Sequence, residues 1–337
     1  MALTGKVVAV TGASAGIGRA TARELARRGA DVGLIARGEE RLAAARAEVE
    51  GMGRRACVAP ADVADAEQVE QAAARIEAEL GPIDVWVNVA MTAVLAEVKD
   101  TTAEEFLRVT QVTYLGSVHG IQSALRRMLP RDRGTIVQVG SALAFRGIPL
   151  QAAYCGAKAA ARGFTDALRC ELIHDGSHVR VAMVHLPAVN TPQFSWVRSR
   201  LPQAMQPLPP VYQPEIAARA IVWVAEHERR ELSVGWPTVV ALLGQRIAPG
   251  LMDRYLADRA WAGQLSDDPA RPGTPDNLES SVAARVGAHG AFDDMASDSS
   301  PLLWADTHRG LVTGAVTGAV LGAAAIAVGA ARSLRKV

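Results

Sequence analysis

The stretch Lys6-Val-Val-Ala-Val-Thr-Gly-Ala-Ser-Ala-Gly-Ile-Gly18 decides the fold, because an apolar run leads into a glycine-rich turn and then into a helical segment. Gly12, Gly16 and Gly18 permit a tight turn and let the backbone approach a ligand closely. A helix that begins near Arg19 would direct its positive end at a pyrophosphate. The pattern predicts the first strand, turn and helix of a dinucleotide-binding fold, although such a turn also occurs as a simple strand-to-helix connection.

The same alternation of short apolar runs and longer helical segments continues along the chain. The β-branched runs cover Lys6 to Thr11, Asp31 to Ala36, Arg55 to Ala59, Ile83 to Ala90, Thr135 to Gly140, Val179 to Leu186 and Thr238 to Leu243. The helical segments cover Arg19 to Arg28, Glu39 to Met52, Ala66 to Leu80, Ala103 to Met128 and Ala152 to His174. Strands that are apolar throughout indicate a parallel sheet covered on both faces. We predict an α/β, Rossmann-like, doubly wound parallel sheet of about seven strands, with the ligand crevice at the carboxyl ends of the strands.

Composition excludes several classes of protein. The 337 residues carry 36 Lys plus Arg against 35 Asp plus Glu, a net charge of +1, so we expect no nucleic-acid partner. The three scattered cysteines form no disulfide framework, which favours a reducing, intracellular setting. His174 and His178 have no cysteine or carboxylate cluster beside them, so no metal site is predicted. Hydrophobic residues reach 49% with a mean hydropathy of +0.11, which fits either a large packed core or a membrane-leaning segment.

Three regions are expected from the changes in composition. Residues 1–250 form a catalytic domain, and its proline-rich stretch 190–214 is interpreted as a substrate loop, with an ordinary surface connection as the alternative. Residues 251–308 form a polar extension that is either a linker or an arm laid over the core. Residues 309–337 form a Gly/Ala-rich C-terminal helix. The candidate substrate contacts in the loop are Phe194, Trp196, Met205 and Tyr212.

The segment Leu311 to Ala331 contains no charged residue and would be about 31 Å long as a helix, close to the ~30 Å of a hydrocarbon core. Gly314, Gly318 and Gly322 would form a smooth ridge suited to close helix contact. Few strongly apolar residues and an unfavourable charge distribution argue against spanning. Contact with a membrane, by spanning or shallow insertion, and packing on protein therefore both stay open. Because the first strand begins almost at the N-terminus, we expect no signal peptide and a cytoplasmic, possibly membrane-associated enzyme.

Arg37 follows the second predicted strand, where a dinucleotide fold selects its cofactor. An acidic residue at this position would bind the ribose 2′-hydroxyl of NAD, whereas a guanidinium suits a 2′-phosphate. The residue therefore favours NADP(H) over NAD(H), unless it is simply a solvent-exposed arginine.

Tyr154 and Lys158 lie four residues apart on one face of a predicted helix, and Ser141 precedes the tyrosine by thirteen residues. A phenol with a pKa near 10 is a poor acid-base catalyst at neutral pH. A nearby ammonium favours the phenolate, and lowering the phenol pKa by about three units requires roughly 4 kcal/mol. Lys158 together with a cationic oxidised nicotinamide could supply this free energy.

These motifs resemble the classical short-chain dehydrogenases/reductases over roughly Leu3 to Gly244. The resemblance implies that Tyr154 exchanges a proton with the substrate oxygen, that Ser141 hydrogen-bonds this oxygen and that Lys158 holds the nicotinamide ribose. It also implies a set of cofactor-binding residues. These are Gly12, Ser14, Ala15, Gly16, Ile17, Gly18, Arg37, Asp62, Val63, Asn88, Ala90, Tyr154, Lys158, Pro187, Val189 and Thr191.

Three positions depart from the family pattern. Met91 replaces a glycine near the cofactor, Ala188 replaces the glycine that usually follows Pro187, and Thr113 replaces the asparagine that completes the catalytic tetrad. We interpret these as subfamily variation and keep Thr113 as a fourth catalytic candidate, since its hydroxyl can still bind water.

The sequence therefore predicts an NADP(H)-dependent oxidoreductase that interconverts a carbonyl and an alcohol, on a hydrophobic small-molecule substrate, as a homodimer or homotetramer. The alternative is a non-catalytic dinucleotide-binding scaffold or assembly protein that uses the C-terminal helix.

Overall fold

A seven-stranded parallel sheet forms the centre of the molecule in the computed structural model, which describes residues 2–270, 273–283 and 287–313. Its strands are β1 (Val7–Thr11), β2 (Asp31–Ala36), β3 (Ala56–Pro60), β4 (Ile83–Asn88), β5 (Gly134–Ser141), β6 (Val179–Leu186) and β7 (Glu231–Ser233). The strand order is β7-β6-β5-β4-β1-β2-β3, so the chain reverses direction across the sheet between β1 and β4. Ligands bind at such a switch point in doubly wound sheets.

Helices cover both faces of the sheet. The helices of the described residues are α1 (Gly16–Arg27), α2 (Glu39–Gly51), α3 (Ala66–Leu80), α4 (Ala103–Thr110), α5 (Gly116–Met128), α6 (Ala152–His174), α7 (Gln193–Trp196), α8 (Pro214–Glu226), α9 (Trp236–Ile247), α10 (Pro249–Gly263) and α11 (Pro301–Thr307). A π-helical turn, Gln111–Leu115, joins α4 to α5. Short strands lie outside the central sheet at Val94–Leu95, Ala188–Val189, Arg198–Ser199, Gln203–Met205, Val211–Tyr212, Leu265–Pro269 and Ala296–Ser297.

Two apolar cores lie on opposite faces of the sheet. One contains Leu25 of α1, Leu42 of α2 and Ile221 of α8. The other contains Ile76 of α3 and Ile121 of α5. All five side chains are almost completely buried. Burial on both faces explains why the strands are apolar throughout, and it confirms the predicted doubly wound architecture.

The predicted strand Thr238 to Leu243 is wrong. These residues belong to α9, and the last strand of the sheet is the three-residue segment Glu231–Ser233. Pro237 near the start of α9 has the fixed φ that suits the first turn of a helix. A short apolar run does not by itself distinguish a strand from a buried helix, and the actual strand is too short to give a periodic signal.

The segment after α10 lies against the rest of the molecule. Leu265–Pro269 pairs with Gln203–Met205, and Ala296–Ser297 pairs with Val211–Tyr212. Leu303 of α11 enters the core beside α8. The stretch between these contacts crosses the carboxyl-end edge of the sheet and is called the arm. The predicted domain boundaries at residues 250 and 308 stay predictions.

Most of the predicted C-terminal helix, from Gly314 onwards, lies outside the described residues. Within the part of the chain that is described, no helix combines the length and the apolarity needed to cross a membrane.

Candidate active site

The glycine-rich turn after β1 has a backbone that only glycine accommodates without strain. Gly12 has a φ of +72°, and a Cβ at this position would lie 3.0 Å from the backbone N and Cα of Ala90. A Cβ on Gly18 would lie 2.2 Å from the carbonyl oxygen of Gly12. The turn therefore brings the start of α1 close to the residues after β4. Ala15, at the N-cap of α1, has no side-chain oxygen to cap the first turn.

A cleft of about 900 Å³ opens above this turn. Arg37 borders it from the end of β2, Asp62 from the end of β3 and Thr191 from the segment after β6. Most of the predicted cofactor-binding residues meet here. The predicted residues in its lining are Gly12, Ser14, Ala15, Gly16, Ile17, Gly18, Arg37, Asp62, Val63, Ala90 and Thr191.

The predicted residue Asn88 is engaged elsewhere. Its side-chain oxygen accepts a hydrogen bond from the indole of Trp86 at 2.8 Å, and its amide donates to the carbonyl of Ser117 at 3.1 Å. A Cβ on Gly120 would lie 2.4 Å from this oxygen. Asn88 thus fixes α5 against β4, and Ala90 lines the cleft in its place.

A second cavity, of about 1160 Å³, adjoins the first and contains the predicted catalytic groups. Ser141 enters from the end of β5, and Tyr154 and Lys158 enter from α6. Pro187 and Val189 also lie here. Five residues line both cavities, which makes the two a continuous groove. These five are Ile17, Val89, Met91, Thr191 and Gln193.

The three catalytic candidates contact one another or lie close together. The side chain of Ser141 lies close enough to the phenol of Tyr154 to lower its pKa. The ammonium of Lys158 donates to the carbonyl of Val139 at 2.8 Å and lies 5.8 Å from the centre of the Tyr154 ring. Lys158 is almost fully buried, and the acceptor of its hydrogen bond is a neutral carbonyl and not a carboxylate.

Burial dominates the ionisation of both groups. It raises the pKa of Tyr154 well above its ordinary value, and the nearby side chain of Ser141 opposes this rise only in part. It also lowers the pKa of Lys158 to about 8. The expected depression of the phenol pKa therefore does not come from the side chains alone. At neutral pH the phenol carries its proton and the lysine is charged.

Thr113 lies in the π-helical turn, and both hydrogen bonds of its hydroxyl go to the backbone of Thr92. The hydroxyl donates to the carbonyl of Thr92 at 2.9 Å and accepts from the amide at 3.1 Å. Among the described residues it is not part of the lining of either cavity. Its contacts hold the loop that carries Met91, whose side chain lies where the two cavities join.

The four predicted substrate-loop residues separate in space. Phe194 and Met205 line the second cavity. Trp196 borders the first cleft, where the Arg41 guanidinium lies 5.0 Å above its ring. Tyr212 is buried in the core, because its strand pairs with Ala188–Val189.

Sequence reasoning missed the cleft residues that come from the arm, Asn277 and Ser281. Asn277 lies 240 positions beyond Arg37. Arg37 donates hydrogen bonds to the main-chain carbonyls of Asn277 at 2.6 Å and Leu278 at 3.2 Å. Burial lowers the pKa of this guanidinium. No local motif marks such a long-range contact.

Fold and site together define a dinucleotide-binding oxidoreductase of the Rossmann type. The family model for short chain dehydrogenases matches residues 6–201, and the chain belongs to this family. The resemblance found in the motifs is thereby confirmed.

Individual proteins agree with this membership. The uncharacterized oxidoreductase YxnA of Bacillus subtilis (strain 168) is 33% identical over 273 residues, 80% of this chain and 76% of that protein. A short chain dehydrogenase from Mycobacterium paratuberculosis bound to NAD matches with a TM-score of 0.60 and 25% identity, over 69% of this chain and 97% of that one. An alcohol dehydrogenase from the archaeon Thermococcus sibiricus, complexed with 5-hydroxy-NADP, matches with a TM-score of 0.58 and 27% identity, over 68% and 95%. The chain is an oxidoreductase with a fold that binds a nicotinamide dinucleotide, and both NAD and NADP forms occur among similar structures.

Proposed function

We propose that the protein is an NADP(H)-dependent oxidoreductase that interconverts a carbonyl and an alcohol on a hydrophobic substrate. One observation carries the proposal: the groups of Ser141, Tyr154 and Lys158 face an apolar cavity that is continuous with the dinucleotide cleft. Such a groove can hold a cofactor and a substrate side by side, as hydride transfer requires.

The residues of the first cleft fit a dinucleotide. The glycine turn and the start of α1 offer backbone amides to a pyrophosphate, and Asp62 and Val63 would border the adenine. Lys158 would bind the nicotinamide ribose, and Thr191 would meet the carboxamide. Arg37 would meet the 2′-phosphate and is the reason for preferring NADP(H). The nicotinamide, when bound, supplies or accepts the hydride.

Tyr154 is the proton donor in the proposed reduction. Its phenol keeps its proton at neutral pH, because burial raises its pKa. The raised pKa makes the phenol a weaker acid, so transfer of this proton to a carbonyl oxygen depends on the negative charge that develops there and on stabilisation of the phenolate. Ser141 hydrogen-bonds the same oxygen and stabilises that charge. The charged Lys158 stabilises the phenolate left behind, and this stabilisation weakens as pH rises through its pKa of about 8.

The lining of the second cavity supports an apolar substrate. Apart from the catalytic groups and a few amides, aliphatic and aromatic side chains surround it, and they offer a carbonyl compound mainly dispersion contacts. The apolar residues in this lining include Ile148, Phe194, Val197, Met205, Leu208 and Pro237.

The proposal is tested with Tyr154→Phe. We expect the wild-type protein to oxidise NADPH with some member of a panel of apolar ketones and aldehydes, and the variant to be at least a hundredfold slower, since it lacks the proton donor. Tyr114→Phe is the matched control, because Tyr114 packs edge-on against Phe164 outside this cavity. Equal turnover by Tyr154→Phe would rule out this tyrosine as the acid. Binding of NADPH without turnover of any carbonyl would instead favour the non-catalytic scaffold.

A further inference from the structure

We propose that the arm, defined as residues 273–283 and 287–297, is the outer wall of the dinucleotide site and retains the bound cofactor. The proposal rests on the proposed function only in requiring that a nicotinamide dinucleotide occupies the first cleft. It assigns Asn277, Leu278 and Ser281 to a site whose glycine-rich turn comes from a family motif.

Three arginines beside the cleft hold the first half of the arm. Arg37, Arg41 and Arg108 all donate hydrogen bonds to main-chain carbonyls between Asn277 and Val282, at 2.5 to 3.2 Å. Arg37 and Arg41 also line the cleft. Charge-assisted hydrogen bonds of this kind are stronger than neutral ones. Two arginines that line the cofactor site, Arg37 and Arg41, thus also hold the arm.

Leu278 anchors the arm in the protein. Its side chain is fully buried in a small apolar cluster with Val109, Ala153 and other residues, against which Tyr154 packs. Two positions before it, the carboxylate of Asp276 accepts hydrogen bonds from Arg198 at 2.9 and 3.3 Å. A buried leucine and an ion pair two residues apart give this part of the arm one defined position.

The second half of the arm contacts the phosphate end of the cleft. The carbonyl of Gly287 accepts a hydrogen bond from the amide of Gly16 at 3.2 Å. Gly290 lies so close to Thr191 that a Cβ would be 2.4 Å from the carbonyl oxygen. Asn277 and Ser281 of the arm are part of the lining of the cleft, so the arm borders the site and does not fill it. A dinucleotide in the cleft would lie against the arm, so its release is coupled to opening of the arm.

Hydrogen exchange measures this coupling directly. The amide of Asn277 donates to the carbonyl of Trp196 at 3.0 Å, so its exchange reports opening of the arm. We expect saturating NADPH or NADH to slow exchange in the peptide that contains Asn277 and Leu278 at least tenfold. Unchanged exchange would overturn the proposal. Faster exchange would also overturn it, since it would mean that the cofactor displaces the arm.

Leu278→Asp tests retention of the cofactor. It should release the arm and raise the NADPH dissociation rate, followed in a stopped-flow experiment by nucleotide fluorescence, at least tenfold. Ser280→Asp places the same charge at an exposed arm position and should stay within twofold of wild type. Leu278→Ala provides the same comparison if the aspartate variant does not fold. Equal dissociation rates in all variants would contradict the proposed wall.

The two proposals fail separately. A protein that binds NADPH under a protected arm but reduces no carbonyl overturns the proposed reaction alone. Turnover with an arm that does not respond to either dinucleotide overturns the wall alone, and absence of all dinucleotide binding overturns both.

Discussion

Arg37 shows how a single residue can serve two parts of the site. Its guanidinium stands between the cleft and the arm, and two of its five N–H groups donate to arm carbonyls. The proposed contact with a 2′-phosphate would use the remaining donors. Because the arm carbonyls hold the guanidinium in place, less side-chain entropy is lost when an anion binds there.

We predict that Arg37→Ala weakens binding of NADPH about tenfold more than binding of NADH. The arm loses the same two hydrogen bonds whichever cofactor is bound, so the ratio of the two dissociation constants isolates the contact with the 2′-phosphate. A lost charge-assisted hydrogen bond costs about 1.5 to 3 kcal/mol, and the lower end of this range corresponds to about tenfold weaker binding. Titration of nucleotide fluorescence provides both constants. A ratio unchanged from that of the wild type would remove the reason for preferring NADP(H).

Glu48 of α2 joins this helix to α1 near the glycine-rich turn. It accepts hydrogen bonds from Arg19 at 2.8 Å and from Arg23 at 2.7 Å. Arg19 is nearly buried, and it also donates to the carbonyl of Ser14 within the turn at 3.5 Å. Although burial alone would raise the pKa of Glu48, these arginines lower it to about 2. The carboxylate therefore supports both the packing of α1 and the position of the turn.

We predict that Glu48→Gln lowers the free energy of unfolding by about 2 kcal/mol at pH 7, because each unit of pKa shift corresponds to about 1.4 kcal/mol and solvent screens part of it. The folded pKa lies below the ordinary 4.5, so the stabilisation is complete above pH 4.5 and is lost as pH falls towards 2. Urea unfolding at pH 7 and pH 3.5 should show the difference between the two proteins shrinking.

Glu50→Gln is the control for this prediction, since Glu50 lies on the same helix and its pair with Arg46 is about half exposed. Its effect should stay below about 0.5 kcal/mol. A Glu48→Gln effect of the same size as the control would show that the buried cluster adds no stability.

The elements that the sequence predicted well are those with a strong local signal. The apolar strand β1 and helices α1, α2, α3 and α6 follow from periodicity and from the glycine turn, whereas the predicted segment Ala103 to Met128 is divided into α4, a π-helical turn and α5. β7 could not be found, because Glu231–Ser233 has only three residues and pairs only with β6. Thr238 to Leu243 are helical in the structure, and a short apolar run does not by itself distinguish a strand from a helix.

The candidate site divides in the same way. Ser141, Tyr154 and Lys158 meet in one cavity as their spacing on β5 and α6 predicted. Thr113 does not, because its hydroxyl is paired with Thr92, a residue 21 positions away. Asn277 could not be predicted at all, since it reaches the cleft through tertiary contacts alone. Positions within one element are readable from spacing, whereas contacts between distant segments require the packed structure.

For the whole molecule, the region after α10 is part of the folded body over its described residues. Leu278 and Ala288 are almost completely buried beside the cleft, and Leu303 is buried in the main core. The high hydrophobic content of the chain thus has one clear source, an Ala/Val-rich core on both faces of the sheet to which this region adds. A polar composition overall does not make such a segment a linker, because a few apolar anchors are enough to hold it.

This integration predicts the outcome of two truncations. A chain that ends after Gly263 lacks Leu278 and Leu303, and burial of two leucines contributes about 3 to 6 kcal/mol. That is a large part of the 5 to 15 kcal/mol typical of a folded domain. We expect its melting temperature to lie at least 10 °C below that of a chain ending after Thr313, which keeps every described residue. Calorimetry of both chains measures the difference. Equal melting temperatures would mean that the arm and α11 contribute no stability and rest on a body that folds without them.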